Sequence, residues 1–346
     1  MTLSKSRTSL AVAIAAAMGM ALTRAAGAAV ADPVPVQPGG SSADGSRIAA
    51  VDPVDDRSLV LRVYSAAMDR DVEVHVQRPA DPSQPRPTLY LLNGAGGGED
   101  AATWEKQTDV LSFLATKDVN VVEPVDGKSS YYTDWRAPDP TLGVNKWRTF
   151  LTEELPPLID PALGTDRANA LVGMSMSGTS ALQLAIAAPG FYRSVAALSG
   201  CAQISDPIGH DFVATVVAAG GGDARNMYGP PDDPMWAAND PYVHADQLRG
   251  ENLFISSGSG LPGQFDTLDG PRALPGINGL VDQVAVGGAI EAATNYCTRN
   301  LQAELDRLGI PATYDLTPTG THSWGYWETE LKKSWAVLAA GLGLPS

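Results

Sequence analysis

Two kinds of apolar segment succeed one another along this chain. Leu59-Val60-Leu61-Arg62-Val63-Tyr64 and Val72-Glu73-Val74-His75-Val76 alternate apolar with polar positions on either side of a polar turn, Asp69-Arg70-Asp71. That pattern predicts an antiparallel hairpin. The later runs, at 88–92, 119–122, 170–172, 195–198, 253–255 and, most weakly, 314–316, are short and continuously apolar, as strands covered on both faces are. Helical periodicity falls between most of them, at 147–155, 178–188 and 289–308, the last closed by Gly309 and Pro311. The expectation is an α/β protein: eight strands, antiparallel at the start and parallel afterwards, flanked by helices.

One connection stands apart from the others. The apolar run Ala170-Leu171-Val172 leads into Gly173-Met174-Ser175-Met176-Ser177-Gly178, and an alanine-rich helical pattern follows until Pro189-Gly190. Strand, sharp turn and helix in that order describe a nucleophile elbow, in which the residues two before and two after the serine must be small. Gly173 and Ser177 meet that need, with serine where a second glycine is usual. The turn exposes the Ser175 hydroxyl and puts the Met176 N–H at a helix start, where an oxyanion can be held. A Gly/Ser-rich loop of no chemical consequence is the plainer alternative. The elbow falls after the fifth of the eight strands, where the α/β-hydrolase fold carries its nucleophile.

That fold supplies an acid and then a histidine after the nucleophile. His322, in Gly320-Thr321-His322-Ser323-Trp324, is the sole histidine beyond residue 244. Its expected task is to take the Ser175 proton and pass it to the leaving group. Position nominates Asp266 or Asp269 as the acid; Glu291, near the start of the last long helical pattern, is the competitor, with a plainer reading as a charge set against a helix dipole. The chemistry of a carboxylate does not separate them. A second oxyanion donor is expected from Leu92-Asn93-Gly94-Ala95-Gly96-Gly97-Gly98, with Ala95 the best placed. His75, His210 and His244 carry no metal-ligand spacing, and the tryptophans read as packing anchors. No phosphate loop, dinucleotide fingerprint or Cys/His cluster appears, so neither cofactor nor metal is expected.

Composition narrows the setting. With 346 residues, 44% of them hydrophobic, one large domain with a substantial core is enough. Residues 1–31 read as a signal peptide: Lys5 and Arg7 precede an apolar stretch from Leu10 to Leu22, and Ala29-Val30-Ala31 is a small-x-small cleavage site, with Ala26-Gly27-Ala28 close by. Residues 32–50, rich in Pro, Gly, Ser and Ala, read as a flexible leader, and the domain is expected over 51–346. Losing Lys5, Arg7 and Arg24 takes the formal charge from −15 to −18, which argues against nucleic acid as a partner. No run is long enough for a permanent membrane span, so the mature chain is expected to be exported and soluble. An exported chain allows its two cysteines, Cys201 and Cys297, to pair; buried free thiols are the alternative.

Several longer ordered pieces narrow the reading further. Ser129-Ser130-Tyr131-Tyr132-Thr133-Asp134-Trp135, Lys146-Trp147-Arg148-Thr149-Phe150-Leu151, Gly173-Met174-Ser175-Met176-Ser177-Gly178, Met227-Tyr228-Gly229-Pro230 and Gly320-Thr321-His322-Ser323-Trp324-Gly325-Tyr326-Trp327 together resemble the mycolyltransferases of the antigen 85 type. The resemblance runs from about Leu89 to Leu331. It implies a secreted, envelope-associated acyltransferase that takes a mycolyl chain from a trehalose mycolate and passes it to a sugar or cell-wall acceptor, with an esterase as the alternative. It implies Ser175 as nucleophile, His322 as base, Glu291 as acid, Ala95 and Met176 as oxyanion donors, and Ser323 and Trp324 as sugar contacts. The Asp and Arg that bind trehalose in the mycobacterial members correspond to Asn93 and Gly96, and the cysteine pair of the loop before Lys146 is missing. A Cys201–Cys297 bridge would replace that staple and tie the loop after the sixth strand to the Glu291 helix.

Overall fold

The computed structural model describes Val36 and residues 41–346 apart from Pro271. The signal peptide expected over residues 1–31 and most of the first part of the leader lie outside the described residues. Nine strands form one sheet: β1 Arg47–Pro53, β2 Ser58–Ser65, β3 Arg70–Gln77, β4 Arg86–Leu92, β5 Asn120–Val125, β6 Thr165–Met174, β7 Tyr192–Leu198, β8 Asn252–Ser257 and β9 Thr313–Leu316. They lie in the order β1-β2-β3-β5-β4-β6-β7-β8-β9. The pairs β1·β2, β2·β3 and β3·β5 are antiparallel and the other five are parallel, as the alternating and continuous runs require.

The extra strand corrects the expected count of eight and the expected leader. Residues 47–50 belong to β1, which pairs with β2 from Arg47↔Tyr64 to Pro53↔Leu59, with a register shift between Ile48 and Ala50. Little in Arg-Ile-Ala-Ala-Val-Asp-Pro alternates, because an edge strand with a bulge has only a short covered face. Ile48 supplies that face, and the Arg47 guanidinium lies over the Tyr64 ring.

Alternate residues of the central strands enter two separate cores. Tyr90 and Leu92 of β4 join Val122, Leu171 and Val195 on one face, while Leu89 and Leu91 join Val121, Val172 and Ala196 on the other. The helix Met176–Ala187 covers the first face through Ala181, Leu182, Leu184 and Ala185. The helix Trp324–Leu342 covers the second through Leu331, Trp335 and Leu338. Both faces are therefore dry, and the polar residue inside the run at 119–122, Asn120, is buried with its amide donating to the Arg86 and Pro87 carbonyls.

Two helical expectations change in detail. The segment expected as one helix at 147–155 is a single turn, Trp147–Thr149, then a π-helical turn, Phe150–Glu154, before the helix Pro156–Leu163. The wide turn carries Glu154 into the core, where its carboxylate accepts from Ser65 Oγ and from the Ala67 N–H at 2.8 Å. A second π turn, Gln283–Gly287, leads straight into the helix Gly288–Leu308. The apolar residues from Phe212 to Ala219 lie on the helix Pro207–Ala219, which Gly220 ends.

Candidate active site

The carboxyl ends of β4 and β6 face each other where the sheet's connections part to opposite sides, the place where ligands sit in open α/β sheets. Ser175 stands there with φ 55° and ψ −124°, a backbone state that costs energy and persists only when its surroundings enforce it. The enforcement is steric. A Cβ on Gly173 would lie 2.0 Å from the Ser177 carbonyl oxygen, so strand and helix can approach this closely only at glycine. Ser177, in place of the usual glycine, clips the turn shut: its Oγ accepts from the Met174 N–H at 2.9 Å and lies 3.1 Å from the Leu92 carbonyl of β4. The Ser175 N–H donates to the Leu198 carbonyl of β7 at 2.8 Å.

His322 Nε2 lies 2.7 Å from Ser175 Oγ, and His322 Nδ1 lies 2.7 Å from Glu291 Oε2. Because a carboxylate can only accept, Nδ1 carries the proton and Nε2 is left to accept from the serine hydroxyl. The edge of the Trp327 indole packs against the imidazole, with ring centroids 4.9 Å apart. Glu291 is buried in the first turn of its helix. Its second oxygen accepts from Ser199 Oγ at 2.8 Å, Ser257 Oγ at 2.9 Å and the Gly258 N–H at 2.6 Å. The Trp327 Nε1–H donates to Ser199 Oγ at 3.1 Å, joining the support of the acid to that of the imidazole.

Asp266, one of the two acids that position nominated, is close by but elsewhere engaged. It accepts from Thr321 Oγ1, Gln283 Nε2, the Gly263 N–H and the Tyr326 hydroxyl. It therefore tethers the loop that carries His322 without meeting the imidazole, and burial together with this carboxylate pushes the Tyr326 hydroxyl's pKa up. Asp269 does not partner Nδ1 either. The carboxylate that meets His322 comes from the helix Gly288–Leu308, where Ser257 at the end of β8 and Gly258 just past it both donate to it. Ser199, Ser257, Gly258 and Trp327 were not foreseen. A serine or glycine just past two adjacent strand ends was the available signal.

The glycine-rich loop stands against the nucleophile: a Cβ on Gly94 would lie 3.7 Å from Ser175 Cβ. The Ala95 carbonyl accepts from the Ser129 N–H at 2.8 Å, and Met176 opens its helix with an N–H that has no intrahelical acceptor. Asn93 is fully buried and donates to the Pro124 carbonyl at 3.2 Å. Over Gly96 stands the Asp100 carboxylate, 2.5 Å from where a Cβ would be. Neither position puts a side chain beside Ser175. Ser323 is nearly buried ahead of the C-terminal helix, and Trp324 packs edge-on to Trp104 and Trp327. Cys201 and Cys297 form a disulfide between the loop after β7 and the Glu291 helix. Among the described residues no His, Cys, Asp and Glu side chains are grouped to hold a metal ion, and no helix is long and apolar enough to cross a membrane.

Comparison with known proteins agrees with this geometry. The Esterase family model matches residues 65–337. A diacylglycerol acyltransferase/mycolyltransferase, Ag85B of Mycobacterium avium, is 33% identical over 294 residues, 82% of this chain and 83% of that protein. Ag85A of Mycobacterium leprae, of the same description, is 33% identical over 290 residues, covering 82% of this chain and 83% of its own. Among solved structures, MPT51 of Mycobacterium tuberculosis superposes with a TM-score of 0.67 at 25% identity, over 82% of this chain and 97% of that one. An S-formylglutathione hydrolase from Agrobacterium tumefaciens shares the fold, with a TM-score of 0.61 at 16% identity over 86% of this chain and 99% of its own. The chain belongs to the Esterase family of α/β-hydrolases, alongside the Ag85 mycolyltransferases.

Proposed function

We propose that the protein is a serine acyltransferase that moves mycolyl or similar long acyl chains from an ester-linked trehalose donor to a sugar or cell-wall hydroxyl. The observation that carries the reading is the pair of 2.7 Å contacts linking Ser175 Oγ, His322 and Glu291. Ser175 Oγ attacks the ester carbonyl while His322 Nε2 takes its proton. The negative oxygen of the tetrahedral adduct is held by the Ala95 and Met176 N–H groups. Collapse expels the donor sugar's oxygen, which leaves with the proton from Nε2, and the acyl group stays on Ser175. The acceptor hydroxyl then gives its proton to Nε2, attacks the acyl carbon and releases the serine. Glu291 keeps the imidazole in the working tautomer throughout.

A lipid donor is supported by the surface beside the acid. Leu261, Leu268, Leu274, Ile277, Val281, Val286 and Ile290 are all exposed, and the helix Gly276–Asp282 buries none of its residues. So much apolar surface in one stretch suits long hydrocarbon. Export to the envelope is supported by the N-terminal pattern and by a disulfide, which persists in oxidising compartments. Hydrolysis of simpler esters is the second reading, favoured by the Esterase family match. Incubation with an acyl-trehalose donor, with and without added trehalose, separates the two. Acyl mass on Ser175 followed by a diacylated sugar is expected; free acid alone in both arms would install the esterase instead.

A further inference from the structure

On the antiparallel flank of the sheet, away from the acid, lies a groove of about 290 Å³. Residues paired across neighbouring strands share a face, and the registers Val60↔His75, His75↔Glu123 and Gln77↔Val121 put these five side chains on one. All five line the groove, together with Glu105 and Lys106 of the helix Trp104–Gln107 and Leu111 of the helix Val110–Leu114. No lining residue belongs to the Ser175 site. Glu123 and Val121 are each 1% exposed. Glu123 Oε1 accepts from the Trp104 N–H at 3.1 Å, but among the described residues its Oε2 has no partner, and neither has the buried Gln77 Oε1. His75, directly opposite Glu123, has its ring nitrogens at 3.2 Å from Glu105 and 2.8 Å from Glu73, and the Lys106 ammonium stands 3.7 Å from Glu105. The two orphaned oxygens therefore belong to diagonal neighbours, within reach of one another for long side chains, and the nearby donors are spent elsewhere.

We propose that this groove binds a small organic cation, a primary ammonium on a short alkyl chain, whose N–H groups donate to Glu123 and Gln77 while the chain lies along Val60, Leu111 and Val121. The proposal is independent of the acyltransfer reading. Three observations select the class of ligand. Both orphaned atoms are acceptors, and an ammonium offers three donors and no acceptor. Three lining carboxylates, on Asp55, Glu105 and Glu123, stand against the single ammonium of Lys106, so an anion is repelled. Among the described residues no His, Cys, Asp and Glu side chains are grouped to hold a metal ion, which leaves an organic cation as the counter-charge. A buried acceptor without a donor costs about 1–3 kcal/mol, and a carboxylate more, which a ligand bearing donors recovers. A neutral alcohol brings one donor and leaves the acid's charge uncompensated. Water alone fits the polar floor poorly, because the groove far exceeds the roughly 15 Å³ that one molecule needs and its remaining walls are Val60, Leu111 and Val121.

Calorimetric titration of the protein with n-butylammonium chloride tests this. Saturable binding is expected, weakened about tenfold or more by Glu123→Gln, which keeps the side chain's shape and removes its charge, and by Val60→Trp, which fills the groove. Two controls separate the parts of the ligand. Tetramethylammonium carries the charge without an N–H, and n-butanol carries the chain without the charge; each should bind about tenfold more weakly than the amine or not at all. Absence of saturable binding would mean that water suffices in the groove and overturns the proposal. Equal binding of either control, or amine binding unchanged in either variant, overturns it as well.

Discussion

At the carboxyl ends of β4 and β6 the chain has almost no room. Gly173 meets the Ser177 carbonyl, Gly94 meets Ser175, and Ser177 Oγ ties two strands and a helix together. At the ends of β7 and β8, where the acid arrives, the backbone is also close, a Cβ on Gly258 lying 2.6 Å from the Gly320 carbonyl oxygen, but hydrogen bonds to carboxylates are added to it: three donors on Glu291 Oε1, four on the Asp266 carboxylate, and a disulfide behind them. One half of the site is held by excluded volume and the other by close backbone together with donors that converge on carboxylates. The two should fail differently when disturbed.

The largest effect is expected where the donors converge on a charge. Glu291→Gln keeps the side chain's shape but leaves Nδ1 without a carboxylate, and should lower kcat by about 10³ to 10⁴. Asp266→Asn, which touches only the supporting loop, should cost about tenfold or less. Steady-state kinetics on an activated ester decide it: equal losses would mean that the acid has been misassigned.

Next comes a matched pair of glycines. Gly173→Ala drives a methyl into backbone at 2.0 Å, and should cost about 3 kcal/mol or more of stability together with most activity. Gly287→Ala sits in the acid half with helical φ −60°, and its Cβ would meet only ordinary contacts with His322 at 3.5 Å. Because alanine is the better helix former, that change should be neutral or stabilising by about 0.5–1 kcal/mol. Thermal unfolding of both variants checks the contrast, which disappears if Gly173→Ala melts with the parent. Reduction of Cys201–Cys297 should fall between these. Opening a link across a separation of 96 residues is expected to cost about 2–3 kcal/mol and to lower kcat, because the bridge lies two residues from Ser199. An unchanged kcat in the reduced, still folded enzyme would remove the bridge from the support of the acid.

The same division explains what the sequence made legible. The elbow could be read because its cause is local: small residues at fixed offsets around Ser175, between an apolar run and a helix. His322 could be read by its place in the chain. Glu291 could not be read from residue chemistry, since what selects it over Asp266 is the meeting of Ser199, Ser257 and Gly258 from two different strands. The sequence itself left it a competitor of Asp266 and Asp269, and the resemblance to a family tipped the choice. The strand β1 escaped for a related reason: its pairing is fixed by β2, while its own alanines and bulge carry no period.

Another buried glutamate sharpens the comparison. Glu123, on β5 behind the glycine-rich loop, is 1% exposed, as Glu291 is. It accepts one hydrogen bond on Oε1, from the Trp104 N–H at 3.1 Å, and among the described residues its Oε2 has no partner. Burial accordingly pushes its carboxyl up to about 7, with the Asn93 amide and His75 opposing only in part. In the unfolded chain a glutamate titrates near about 4.3. The folded state therefore binds this proton more tightly, and the stability it contributes is complete below that value and lost as pH rises through about 7. Glu330, also pushed up to about 7 by burial, adds to the same slope. Stability should thus decline between about pH 4 and pH 7, and Glu123→Gln should recover roughly 3 kcal/mol at pH 8 and only about 1 kcal/mol at pH 5. Urea unfolding of both proteins at the two pH values measures it. A gain of equal size at both would mean that Glu123 never holds the proton, and that this half of the molecule tolerates a buried charge as readily as the half built around Glu291.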